Sequence, residues 1–103
     1  MSFTDNLKEL PDAQGARIRL RDVHGTECGV IENAPGTAGS FRLYAYLAMQ
    51  YGGIMPEAAE AGVALYAEHA EDARHHPGKH PNIDRLLDCI AQQSQLAVCI
   101  ERD

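Results

Sequence analysis

The chain has 103 residues, 45% hydrophobic and 23% charged, with nine Lys or Arg against fifteen Asp or Glu for a net charge of −6. That length allows a core without disulfide or metal staples, and the composition is far from the disordered and collagen-like extremes. The acidic balance repels phosphate backbones and anionic lipid, which excludes general nucleic-acid binding and membrane-surface binding as leading functions.

The start, MSFTDNLKEL, lacks a basic segment followed by an apolar run, and no later stretch approaches the ~20 apolar residues of a spanning helix. A cytoplasmic protein is expected. Ser2 or Thr4 is placed to cap a short first helix through TDNLKEL, with Leu7 and Leu10 inward, and Pro11 ends it. ARIRLRD then alternates strictly: Ile18 and Leu20 share one side of a strand, and Arg17, Arg19 and Arg21 share the other. A turn with Gly25 at positive φ returns the chain through ECGVIEN as the second strand of a hairpin.

NAPGTAG is a loop in which Pro35 and Gly36 suit the centre of a type II turn. A helix is expected from about Ser40 to Tyr51, with Phe41, Tyr44, Leu47, Ala48 and Tyr51 on one face, and Gly52-Gly53 ends it. Pro56 suits the first turn of the next helix. There Ala59, Val63, Tyr66, Ala70 and Ala73 form a continuous stripe as far as a stop near His75, before the Pro77-Gly78 turn. Asn82 is the candidate cap of a last helix with Ile83, Leu86, Leu87 and Ile90 inward, and QLAVCIER closes the chain as a strand.

The order α-β-β-α-α-α-β predicts a single compact α+β domain over residues 1–103, with a three-stranded antiparallel or mixed sheet and helices packed on one face. Cys28, Cys89 and Cys99 show no CxxC spacing and read as free, mostly buried thiols. The stretches NAPGTAGSFRLY, AEHAEDAR and PGKHPNIDRLL, together with the MSFTDNL start, make the chain resemble the bacterial domain-of-unknown-function family 2322. That resemblance covers nearly the whole chain and implies a bacterial, soluble, single-domain protein. It implies no activity, cofactor or catalytic residue.

EHAEDARHHPGKHPNID holds four of the five histidines beside several carboxylates. On a helix, Glu68, Asp72 and His75 project within about 60° of one another, as do His69, Asp72 and His76. With His80 from the following loop they would suit a divalent transition metal such as zinc. The segment has neither HExxH nor the paired ExxH of two-metal bundles. The preferred reading is a salt-bridged helix end, in which Arg74, His75, His76 and Lys79 neutralise Glu68, Glu71 and Asp72.

Gly36, Gly39, Ser40 and Arg42 are candidates for binding a small anion or carboxylate, because the loop exposes amides at the positive end of a helix. The glycine spacing fits neither a P-loop nor GxGxxG, and AGSFR lacks the second glycine of GxSxG. The Arg17, Arg19 and Arg21 stripe reads best as paired across the sheet with Glu27, Glu32 and Glu101. Tyr44, Tyr51 and Tyr66 read as core residues whose hydroxyls reach the edge. Tyr46 and Met49 suit a subunit interface, and a three-stranded sheet has two edges open to pairing. Without a catalytic motif, the leading expectation is a binding or interaction protein, with a homo-oligomer or another protein as the partner. A small metal-dependent enzyme or metal-binding protein is the alternative, and small-anion binding is the next.

Overall fold

Alternation in RIRLR buries one face of strand β1 (Arg17–Arg21), and that strand is the centre of the sheet in the computed structural model, which describes residues 1–103. β2 (Glu27–Glu32) and β3 (Ala97–Glu101) flank it, both antiparallel to it. Ile18 stands opposite Ile31 on one side and Ile100 on the other. The helices are α1 (Phe3–Glu9), α2 (Ala38–Tyr51), α3 (Pro56–Tyr66), α4 (Glu68–His75) and α5 (Pro81–Gln92). The expected α+β class and its three-stranded sheet are both present, and the sheet is wholly antiparallel.

Ile18, Leu20 and Ile31 point from the sheet into a core shared with Phe41, Leu43, Tyr44 and Leu47 of α2 and with Ile83, Leu86 and Cys89 of α5. Burying each large apolar side chain of this kind contributes about 1.5–3 kcal/mol. The inward face of α2 is wider than the single stripe expected, because Leu43 is fully buried as well as Tyr44. All of Ala59, Val63, Tyr66, Ala70 and Ala73 are buried, although the helix expected to carry them is two helices. Ala67 breaks it at φ 54°, ψ −118°. Asn6 of α1 donates to the Leu65 carbonyl at 2.9 Å, and Glu68 accepts the Phe3 N–H at 2.8 Å. Contacts from α1 thus satisfy polar groups on both sides of the break, and they offset the ~1–3 kcal/mol that such a backbone conformation costs a non-glycine residue.

The outer face of the sheet is polar by pairing. Arg17 meets Glu32 at 3.0 Å and Glu101 at 3.5 Å, while Arg19 meets Glu27 and Glu101, each at 2.7 Å. Hydrogen bonding to Glu32 raises the Arg17 pKa, and hydrogen bonding to Glu27 raises that of Arg19. These cations are therefore engaged within the sheet. Cys28 and Cys99 are exposed and only Cys89 is buried, which corrects the expectation of mostly buried thiols. The reason is placement: Cys99 lies on an edge strand, and Cys28 sits where the β1–β2 register shifts between Leu20 and Arg21.

Candidate ligand site

Ser2 caps α1: its hydroxyl accepts the Asp5 N–H at 3.1 Å, and the Asp5 carboxylate accepts the Ser2 N–H at 3.4 Å. So anchored, α1 lays the Phe3 ring on Tyr66 with centroids 5.0 Å apart and edge-on to His69 at 5.2 Å. These aromatic rings form part of the wall of a cavity of about 300 Å³, whose polar lining includes Ser40, His69, Lys79 and His80. Tyr66, 3% exposed, donates its hydroxyl hydrogen to Ser40 Oγ at 2.7 Å, and burial holds its phenol pKa well above the usual range. With its oxygen accepting, Ser40 keeps its own hydrogen to donate.

The Pro35-Gly36 turn forms as expected: the Thr37 N–H donates to the Ala34 carbonyl at 3.0 Å and Gly36 sits at φ 94°. Thr37 occupies the N-cap position of α2, so the helix begins two residues before the expected Ser40. Its hydroxyl donates to the Glu32 carbonyl at 2.6 Å and does not cap the helix. The Gly39 and Ser40 amides, second and third in α2, have no acceptor within the chain.

Gly36 and Ser40 line the cavity, whereas Gly39 and Arg42 line a separate cleft beside Leu7 and Asp12. A Cβ on Gly39 would come within 3.1 Å of Leu7 and 3.3 Å of Phe3, so this glycine serves the close approach of α1. Arg42 donates to the carbonyls of Leu10 and Pro11 and reaches Asp12 at 3.6 Å. The four anion-site candidates are thus divided between two faces.

The candidate metal ligands are also dispersed. Glu68 is held by the Phe3 amide, and that hydrogen bond is the main cause lowering its pKa. His75 turns to Glu71 at 3.1 Å, and Arg74 approaches the same carboxylate at 3.7 Å. Asp72 gathers His80 Nε2 at 2.6 Å, Lys79 Nζ at 2.9 Å and His76 Nδ1 at 3.2 Å. The His80 hydrogen bond, followed by that from Lys79, holds the Asp72 carboxyl far below the usual carboxylate range. His69 and His80 face each other across 5.9 Å in the cavity. No three His, Cys, Asp or Glu side chains are arranged as a metal-holding group.

The local counter-charges of a helix end are therefore present, but Asp72 also draws together groups from α4 and from the following loop. With Nε2–H donated to Asp72, a neutral His80 keeps Nδ1 as an acceptor. Phe3 and Thr37 also line the cavity without any signal in the sequence, since the rings Phe3 packs against, Tyr66 and His69, are more than sixty positions away.

The fold defines an α+β protein, and no helix in it is long and apolar enough to cross a membrane. The chain belongs to the family described as uncharacterized proteins conserved in bacteria (DUF2322), whose model matches residues 3–100. Neither the curated proteins nor the solved structures include a match to it.

Proposed function

We propose that this chain is a cytoplasmic, single-domain binding protein whose cavity at the start of α2 takes a small oxoanion, a carboxylate or a phosphate group. The observation carrying this reading is the convergence of Ser40, Lys79, His69 and His80 on one cavity, where the Ser40 amide has no acceptor within the chain. Amides at a helix start favour negative charge, and a serine hydroxyl with its hydrogen free adds a directional donor. Lys79 adds positive charge, which Asp72 moderates in the unliganded protein.

Amide NMR titrations at neutral pH with inorganic phosphate and, separately, acetate test the proposal. Saturable shifts at Gly36, Ser40 and His80 are expected, with Ser40→Ala weakening binding about tenfold, as loss of one hydrogen bond to a charged group predicts. Absence of shifts at these residues with both anions would reject the reading.

A further inference from the structure

A second cavity, of about 410 Å³, opens between α5 and the sheet and shares only Pro81 with the first. Its lining includes Cys28, Asp84, Arg85, Asp88, Cys89 and Leu96. Arg17, Arg19, Arg42 and Arg85 are the half-buried arginines, and the first three each have a carboxylate within 3.6 Å. Arg85 forms no ion pair; its Nη1 donates to Asn82 Oδ1 at 2.8 Å and to the Tyr44 hydroxyl at 3.2 Å. Its Nε and Nη2 make no hydrogen bond in the chain, which leaves unused the edge of the guanidinium that accepts a carboxylate in a two-pronged pair.

The backbone of β2 sets the position of that edge. A Cβ built on Gly29 would lie 2.7 Å from Arg85 Nη2 and 2.9 Å from both Cζ and Nε, so the guanidinium lies flat over this glycine. Tyr44 adds a cation–π contact at 5.7 Å. A planar donor pair is thus held in place before any ligand arrives, which lowers the ordering cost of binding.

The surrounding charges select among anions. Asp84 uses one oxygen to accept the Gly78 N–H at 2.8 Å, and Asp88, one turn from Arg85, has no cationic partner. A simple anion would meet their repulsion. A ligand carrying a carboxylate and an ammonium group would satisfy both halves, with Cys89 and Leu96 offering apolar wall for a side chain. We infer that the Arg85 cavity binds a small zwitterion of the α-amino-acid class, its carboxylate paired with the Nε and Nη2 edge of Arg85 and its ammonium facing Asp88.

L-leucine is the probe, and 4-methylpentanoate, the same molecule without its amine, is the control. Amide NMR titration of the intact chain should show saturable shifts around Arg85, Gly29 and Asp88 with L-leucine. Affinity for 4-methylpentanoate should be about tenfold lower or worse, as should affinity of Arg85→Lys and Asp88→Asn for L-leucine. Asp88 is exposed, so Asp88→Asn remains informative even if Arg85→Lys loosens the fold. Bound L-leucine should also slow alkylation of Cys28 and not of Cys99. No shifts with L-leucine, equal affinity for 4-methylpentanoate, unchanged binding by Asp88→Asn, or unprotected Cys28 would each overturn the assignment.

Discussion

Gly62 lies within α3, where glycine is ordinarily about 0.8–1 kcal/mol less favourable than alanine, so Gly62→Ala would be expected to stabilise an isolated helix. The packing reverses the sign. An added Cβ would fall 2.8 Å from Leu47 Cδ1 of α2 and 2.8 Å from Leu86 Cδ1 of α5. Carbon atoms prefer about 3.5–4.0 Å, and both leucines are 0% exposed, which leaves their methyl groups no open space to turn into. Overpacking of a close-packed core costs about 1–3 kcal/mol. Two simultaneous overlaps place this site near the upper end, and subtracting the gain in helix propensity leaves about 2 kcal/mol of net destabilisation.

For a chain of this length that corresponds to a fall in Tm of about 8–15 °C. Thermal and urea denaturation followed by far-ultraviolet circular dichroism measures it. If the methyl group and Leu47 compete for one space, Leu47→Ala should cost less in the Gly62→Ala background than in the wild type, a coupling visible in a double-mutant cycle. An unchanged or higher Tm for Gly62→Ala, or strict additivity of the pair, would refute the reasoning.

Burial pushes the Tyr44 phenol from about 10 up to about 12, and it raises Tyr66 as well. Their neutral forms are favoured in the fold, so this stability is complete below about pH 10 and is lost as pH rises through the folded value. Tyr44 alone accounts for about 3 kcal/mol of that loss, and Tyr44→Phe should flatten the alkaline limb of a urea-derived stability profile. Asp72 has the opposite sign. Its depressed pKa, caused first by the His80 hydrogen bond, contributes stability above about pH 4 that is lost as pH falls through the folded value. Asp72→Asn should therefore show a smaller acid-side loss of Tm than the wild type; equal losses would count against the Asp72 network. Finally, Cys28 and Cys99 should react with a thiol reagent in the native protein, whereas Cys89, 1% exposed and bonded to the Ser94 carbonyl, should react only after unfolding. Desolvation raises the pKa of Cys28, so its labelling should accelerate as pH is raised. Mass spectrometry of labelled peptides checks both points.

Local pattern sufficed wherever neighbouring residues decided the structure. The alternation of Ile18 and Leu20 with the arginines identified the buried side of β1, and the same parity predicted partners among Glu27, Glu32 and Glu101. Gly25 and Gly36 adopt the positive φ their turns need, and α4 stops at His75 ahead of the Pro77-Gly78 turn. Asn82 shows the limit of such signals. Pro81 takes the first helical position, so His80 becomes the N-cap, and the Asn82 side chain instead accepts from Arg85 while its carbonyl accepts from Tyr44.

The site residues show a similar division. The histidine and carboxylate segment was visible as a cluster, but whether its members converge depended on the break at Ala67, which no glycine or proline announces in an alanine-rich stretch. Arg42 was expected at the anion loop and is drawn away by Leu10, Pro11 and Asp12 from a different part of the chain. Residue order and side-chain chemistry thus prescribed the strands, most of the helices and their buried residues, the cross-strand charge pairs and the family, but not the break at Ala67. Tertiary packing alone selected which polar groups share a cavity, because α1 and the turns from 34 to 37 and 76 to 80 bring together side chains that no short-range periodicity relates.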